Sequence, residues 1–404
     1  AANSAKPGLI FKKDGGSEHP GTSLEIVNGT IKGGDGSTAH PNGAVGVSTG
    51  KAPAPAKAEI TVGKDGVIKG GNGAAGTDGK GNQNAGNGGN GGAGIEGEIT
   101  PTVDGGTVSG GNGGAGGSAD RTKPGAGGNG GAGIDTEDKK VTILEGTVKG
   151  GDAGAGGNAT GDNTNAGGNG GNGGSGIDSG RSDIVIGPGK TDVHGGAGGN
   201  GGNSNKGNGG NGGSGGSGAE AGKIDNDGGT IAGGNGGTGG NSNNGGHNGN
   251  GGNGGSGTKG NHTPTNGGTS SDGNKGQNGK IYVEVLFEKR NGNSLNAGKP
   301  VKIVLNEKIN QATFDKMQQE ADRSKKENEV FFAWVDKNDD TKAYTTETEV
   351  TSSVTLVPVY RADSNVVPGQ DGNTIAADNF SIRIEKVSSL TEKEAKKLAN
   401  VKAY

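Results

Sequence analysis

Residues 85–95 read Ala-Gly-Asn-Gly-Gly-Asn-Gly-Gly-Ala-Gly-Ile, with Asn87, Asn90 and Ala93 three residues apart and glycine at every position between. The same phase returns in Ala126-Asn129-Ala132, in Ala166-Asn169-Asn172-Ser175, in Asn208-Asn211-Ser214-Ser217 and in Asn250-Asn253-Ser256. A period of three fits neither the α-helix, at 3.6, nor the β-strand, at 2. It fits an extended left-handed helix of the polyproline II kind, which has three residues per turn and no internal hydrogen bonds. The backbone N–H and C=O groups of such a run must find partners on neighbouring runs or in water. With two glycines in each triplet, two faces carry no side chain and neighbours can approach closely. These runs are therefore expected to pack as polyglycine II helices. The competing reading of such composition is a flexible linker. What argues against it is that the phase is kept and recurs at a fixed place in a longer repeat.

A second signal marks that repeat. Gly-Thr-Ile-Lys-Gly-Gly or a close variant ends at Gly34, Gly71, Gly111, Gly151, Gly196 and Gly234. Its apolar residues Ile31, Ile68, Val108, Val148, Val193 and Ile231 are thus spaced 37, 40, 40, 45 and 38 residues apart. Repetition at this scale indicates a solenoid. Each copy opens with an alternating strand (Leu24 and Ile26, Ile60 and Val62, Val141 and Ile143, Ile184 and Ile186), which implies one buried face. A glycine turn and the short Gly-Gly strand follow. An outgoing triplet run, a variable polar tip and the return run then lead to an apolar residue (Ile95, Ile134, Ile177). Stacked in register, the strands predict a parallel β-helix with glycine hairpins projecting sideways. Stacking is required, because ordering each residue costs about 1–2 kcal/mol of backbone entropy and a lone hairpin buries almost nothing apolar.

Composition agrees. Glycine is 98 of 404 residues, hydrophobic residues are 25% and aromatics 3%, too few for one globular core. A net charge of −4 predicts neither nucleic-acid binding nor attraction to anionic membranes. No apolar run is long enough to span a bilayer, and the absence of cysteine removes disulfides and thiolate metal sites. The opening Ala-Ala-Asn-Ser-Ala suggests the mature end left by signal-peptide removal, or an artificial boundary.

The composition changes near Gly279. Ile281, Val283, Val285 and Phe287 alternate, a turn falls at Asn291-Gly292 and a strand at Val301–Leu305. A helix is expected over Gln311–Lys326, then Val330–Trp334, a charged turn Asp336–Asp340, Tyr344 and a strand Val354–Tyr360. Phe332, Trp334 and Tyr360 are expected in the core. Beyond a linker, Asn379–Ile382 reads as a strand and Leu390–Lys402 as a helix capped by Thr391, with Glu394 at the capping-box position. The expected division is 1–278 glycine-rich solenoid, 279–362 a small α+β domain, and 373–404 the start of a stalk-type module.

Phe332-Ala333-Trp334, Asp336-Lys337-Asn338, Tyr344 and Ser353–Leu356 through Tyr360 resemble the Listeria–Bacteroides repeat, an internalin B-type, β-grasp-like module of bacterial surface proteins. Alanine stands where that family usually has glycine before Trp334, and the helical stretch is an insertion relative to it. Ala399–Ala403 resembles the opening of stalk repeats in Gram-positive wall proteins. Residues 20–258 resemble glycine-rich β-helix repeats of bacterial secreted proteins and the polyglycine II bundles of the snow flea antifreeze protein and of a phage tail-tip adhesin. The resemblance implies a secreted, cell-wall-anchored surface protein, present here as a monomeric fragment.

Candidate chemistry is sparse. The five histidines share no ligand spacing, no metal or cofactor is expected, and Asp336-Asn338-Asp340 lacks the glycine and glutamate of an EF-hand loop. Three functions stay open. In the first, a non-enzymatic adhesin tip presents polar hairpin tips to a host or microbial glycan or protein. The candidate binding residues are Asp78 and Lys80; Asp120, Arg121 and Lys123; Asp162; Lys206; and His247. The second is a polysaccharide lyase or hydrolase, which needs a carboxylate cluster; Glu25, Glu59, Glu98 and Glu145 lie near strands. The third is ice binding, for which the sequence displays no regular threonine ladder.

Overall fold

The computed structural model describes residues 5–11, 22–49, 58–162, 164–243, 246–362, 366–368, 374–376 and 402–403. Two compact units divide between Ile281 and Tyr282.

The first unit is a parallel β-solenoid of about six turns. Each turn supplies a long strand and a short one. Long strands include Thr22–Lys32, Ala58–Lys69, Ile99–Ser109 and Val141–Lys149; Asp183–Ile186 and Thr191–His194 fill the same two places as a broken pair. Short strands include Val47–Ser48, Ile95–Glu96, Ile134–Asp135 and Ile177–Asp178. The long strands turn a corner where Gly29, Gly105 and Gly146 take positive φ, near +100°, a region that a side chain resists.

Several ladders of inward side chains meet in one core, three of them as follows. Ile31, Ile68, Val108, Val148, Val193 and Ile231 are consecutive rungs, as the spacing of the Gly-Gly phrases predicted. Ile26, Val62, Val103, Ile143 and Ile186 form the second. The third runs along the short strands through Val47, Ile95, Ile134, Ile177 and Ala219. Ile95, Ile134 and Ile177 are fully buried. β-Branched residues on all of these rungs but Ala219 suit a pleated surface packed on one face.

Between the strands, the glycine runs extend away and return. The backbone amides of one triplet show how they are held. Asn129 N–H donates to Asn90 Oδ1 (2.9 Å), Gly130 N–H to the Asn172 carbonyl (2.9 Å) and Gly131 N–H to the Gly111 carbonyl (2.9 Å). The first two bonds join return runs of adjacent turns; the third joins a return run to an outgoing run. Asn112-Gly113-Gly114 repeats the pattern with Asn72 Oδ1, Asp152 O and Gly89 O. The run-to-run bonds form a continuous zigzag, in which Gly92 donates to Gly71, Gly111 to Gly92, Gly131 to Gly111, Gly151 to Gly131, Gly174 to Gly151 and Gly196 to Gly174. Every amide of these triplets is satisfied without a bond inside its own run, which is what buried peptide groups require.

Asparagine recurs in the third position for a reason visible in this pattern. The ridge amide of the next turn has no carbonyl facing it, and a side-chain oxygen takes that place. The acceptors pass along the stack as Asp35 to Asn72, Asn72 to Asn112, Asn112 to Asp152 and Asp152 to Ala197. On the return side Asn42, Asn90, Asn129 and Asn172 serve Asn90, Asn129, Asn172 and Ser214.

In the second unit, the strand Ile281–Phe287, whose first residue closes the first unit, pairs antiparallel with Val301–Val304 and parallel with Val354–Ala362. Glu329–Asp336 lies antiparallel to both Val354–Ala362 and Asp339–Tyr344. The helix spans Gln311–Ala321 and continues as a 3-10 turn over Asp322–Ser324, shorter than the stretch read from sequence. Asn310 caps it, its Oδ1 accepting from Thr313 N–H at 2.8 Å. Phe314, Met317 and Ala321 pack with Phe287 and Trp334, whose rings meet edge to face at 4.9 Å, a favoured aromatic geometry. Trp334, Tyr360 and Phe332 are all buried, but Phe332 lies with Ala333 and Val335 in a separate cluster. A register shift between Phe331 and Ala333 places Phe331, and not Phe332, beside Trp334 and Tyr360. The expected Asn379–Ile382 strand and most of the Leu390–Lys402 helix lie outside the described residues. Lys402, expected at the end of that helix, is instead in a strand with Ala403 that pairs with Ile375–Ala376.

Candidate functional site

The hairpin tips are brought together by the stack beneath them. Single parallel bridges join Gly79 to Ala119, Ala119 to Ala159, Ala159 to Ser204 and Ser204 to Ser242, so five tips form one edge, spaced about 4.8 Å per turn. Ala119, Ala159, Ser204 and Ser242 are buried under it. All eight candidate residues, Asp78, Lys80, Asp120, Arg121, Lys123, Asp162, Lys206 and His247, are exposed.

Their roles differ. Asp78 Oδ1 accepts Ser118 N–H (2.8 Å), the same cap the ridge asparagines supply. Lys206 Nζ lies 3.3 Å from Asp162 Oδ1, across adjacent tips. Arg121 and Lys123 are tied to neighbouring tips through their backbones: Asn165 Nδ2 donates to Arg121 O, and Lys123 N–H donates to Asn84 Oδ1. His247 N–H binds Asn208 Oδ1; the residue belongs to the fifth return run and is not part of the bridge ladder.

The four glutamates considered as catalytic candidates do not converge. Glu25 and Glu59 pair with Thr61 and Thr100, Glu145 with Asp104, and Glu98 lies 3.6 Å from Lys139. A different acidic row appears on the short strands, where Glu96, Asp135, Asp178 and Glu220 occupy consecutive rungs. Half-burial, followed by the charges of Asp178, Glu96 and Glu137, pushes the Asp135 carboxyl up to about 6. Burial also acts to raise Glu220, but its bonds to Lys259 (2.6 Å), Ser217 and Ser175 outweigh that and hold it below the usual range. The sequence signal for this row is the residue after each return run: Ile95-Glu96, Ile134-Asp135, Ile177-Asp178, Ala219-Glu220. Neighbouring rungs set the backbones of Asp135 and Asp178 about 4.8 Å apart, so two acidic side chains, one with a raised pKa, stand side by side, as general acid–base chemistry on a glycoside requires.

The register also aligns the threonines of the Gly-Thr-Ile-Lys-Gly-Gly phrases, although no regular ladder was expected. Thr30, Val67, Thr107, Thr147, Asp192, Thr230 and Thr269 are successive rungs. The row is interrupted by Val67 and Asp192 and bordered two residues on by Lys32, Lys69 and Lys149. Among the described residues, no group of three or more acidic or histidine side chains is arranged to hold a metal ion, and no helix is long and apolar enough to cross a membrane. At Asp336, Oδ1 accepts Asn338 N–H and closes the turn.

Neither a protein-family profile nor a curated protein matches the chain. Among solved structures, a nine polyproline type II helical bundle springtail antifreeze protein from Granisotoma rainieri matches at 26% identity, over 52% of this chain and 96% of that one, with a TM-score of 0.13. At that score the likeness carries nothing about this chain's fold or activity.

Proposed function

We propose that the chain is a non-enzymatic adhesin tip of a secreted, wall-anchored bacterial surface protein. Its glycine runs are read as polyglycine II helices, and residues 279–362 as a Listeria–Bacteroides-type repeat that joins the solenoid to a stalk. The ligand is a host or microbial glycan or protein. The observation that carries this reading is the edge of five stacked tips, whose backbones are bridged to one another while their charged side chains face solvent. Rigid backbone under variable polar side chains is how recognition loops are built on other scaffolds. Holding the loops before binding also removes most of the ordering cost of recognition.

The test is an array of glycans and host proteins probed with the full chain and with a variant carrying Arg121→Ala, Lys123→Ala and Lys206→Ala. Loss of binding at an unchanged melting temperature supports the reading. Binding that survives loss of the tip charges refutes it.

One observation favours an enzyme as a second reading: Asp135, which holds its proton to about pH 6, lies one rung from Asp178. New reducing ends from an acidic or neutral polysaccharide, abolished in Asp135→Asn and Asp178→Asn, would establish that reading in place of the first.

A further inference from the structure

A groove of about 660 Å³ in the first unit lies where the outgoing runs leave the long strands, away from the tips. One wall is the in-register row Lys32, Lys69, Ser109, Lys149 and His194. Lys32 is occupied by Asp35 (2.6 Å) and His194 by Asp192 (2.5 Å). Lys69 and Lys149 are exposed and have no ion-pair partner among the described residues. They lie two rungs apart, about 9–10 Å, with the Ser109 hydroxyl on the rung between.

The opposite wall adds donors. Asn72 and Asn112 each spend their side-chain oxygen on the amide of the next turn. What they offer a ligand is therefore the NH2 group, which only donates. Asp152 is the one carboxylate lining this groove, and its Oδ1 accepts Ala197 N–H. Positive charge thus stands at two places, with the Ser109 hydroxyl and the Asn112 amide between them and the Asp152 carboxylate confined to the Lys149 end of the facing wall. A ligand that satisfies this carries anionic groups separated by uncharged oxygens, in an extended chain lying along the solenoid axis.

We propose that this groove binds a linear acidic polysaccharide in which uronate alternates with neutral sugar, the carboxylates meeting Lys69 and Lys149 and the intervening hydroxyls meeting Ser109 and Asn112. A polyphosphate chain matches less well, since it is charged at every unit and would leave charge facing Ser109. The proposal shares with the function given above only that the chain binds a carbohydrate, and it uses none of the tip residues.

The test is titration of the full chain with a fluorescent hyaluronan decasaccharide, with inorganic polyphosphate as competitor, at low and raised salt. Binding is expected to weaken with salt and to fall roughly tenfold or more in Lys69→Gln/Lys149→Gln, since each removes a charged contact. The Arg121→Ala/Lys123→Ala/Lys206→Ala variant is expected to bind unchanged. Neither lysine has an ion-pair partner among the described residues, so an unaltered thermal melt accompanies the double variant. The proposal is overturned if the decasaccharide does not bind, or if the double lysine variant binds as well as the unaltered chain. It is overturned equally if polyphosphate competes at matched charge with the same affinity. Binding lost only in the tip variant overturns it while leaving the tip reading intact.

Discussion

Replacing Gly131 by alanine adds one methyl group at the centre of the glycine bundle. That Cβ would overlap the Gly92 carbonyl oxygen, lie 2.5 Å from its carbon and 3.0 Å from Ala93 N. All of these are backbone atoms, so no side chain can swing aside. Relief requires the two return runs to separate. Three bonds depend on their positions: Gly131 N–H to Gly111 O (2.9 Å), Gly151 N–H to Gly131 O (2.8 Å) and Gly111 N–H to Gly92 O (2.8 Å). At about 1 kcal/mol net each, their loss costs about 3 kcal/mol. Alanine restricts the unfolded chain and returns about 0.4–1 kcal/mol. A net loss of about 2–2.5 kcal/mol remains, which lowers the melting temperature by roughly 5–10 °C for a unit of this size. The assay is a thermal melt followed by circular dichroism, with amide exchange of the neighbouring runs. Ala115→Ser, at an exposed ridge position of the adjacent outgoing run, is the control and should stay within about 0.5 kcal/mol. A Gly131→Ala protein that melts with or above the unaltered chain would show that the runs are not held by close backbone contact.

Other outcomes follow from the same structure. Asn129→Ala removes the acceptor for Asn172 N–H (2.8 Å) and should cost no more than about 1 kcal/mol by denaturant titration, the site being exposed; Asn129→Asp keeps the oxygen and should cost less. Ile134→Ala empties a fully buried rung between Ile95 and Ile177 and should cost about 2–5 kcal/mol, read as a shift of the denaturation midpoint. Asp135 holds its proton to about pH 6 in the folded state and to about pH 4 when unfolded. Ionisation therefore disfavours the fold: the stability is fully present below pH 4 and is lost as pH rises through 6. The melting temperature of the solenoid should rise between pH 7 and pH 5, and Asp135→Asn should flatten that rise.

The ladders were legible because two sequence clocks agree. The Gly-Gly phrases place Ile31, Ile68, Val108, Val148, Val193 and Ile231 on successive rungs even though the intervals vary. Variation is absorbed both in the hairpins and on the strand side: Val148 to Ile177 and on to Val193 takes 29 and 16 residues, whereas Val193 to Ala219 and on to Ile231 takes 26 and 12. What periodicity could not reveal was anything created by register alone. Glu96, Asp135 and Asp178 each follow the apolar residue that closes a return run, but only the pairing of their strands makes that position a row of acids. Lys69 and Lys149, 80 residues apart in the chain, likewise come to lie two rungs apart. The Phe331–Trp334 contact was missed for a related reason, because a bulge changes which of two adjacent phenylalanines faces the helix.

An asparagine followed by glycine is ordinarily the most perishable dipeptide in a protein, since the glycine nitrogen attacks the side-chain amide and forms a succinimide. In these runs that nitrogen is engaged: Gly130 N–H is held by Asn172 O, and Gly113 N–H by Asp152 O. The amide it would attack is held as well, through its oxygen on the following turn. The lattice that gives the asparagines their structural work thereby shields them from chemical ageing, so a lasting fold can be built from one of the least durable sequences available.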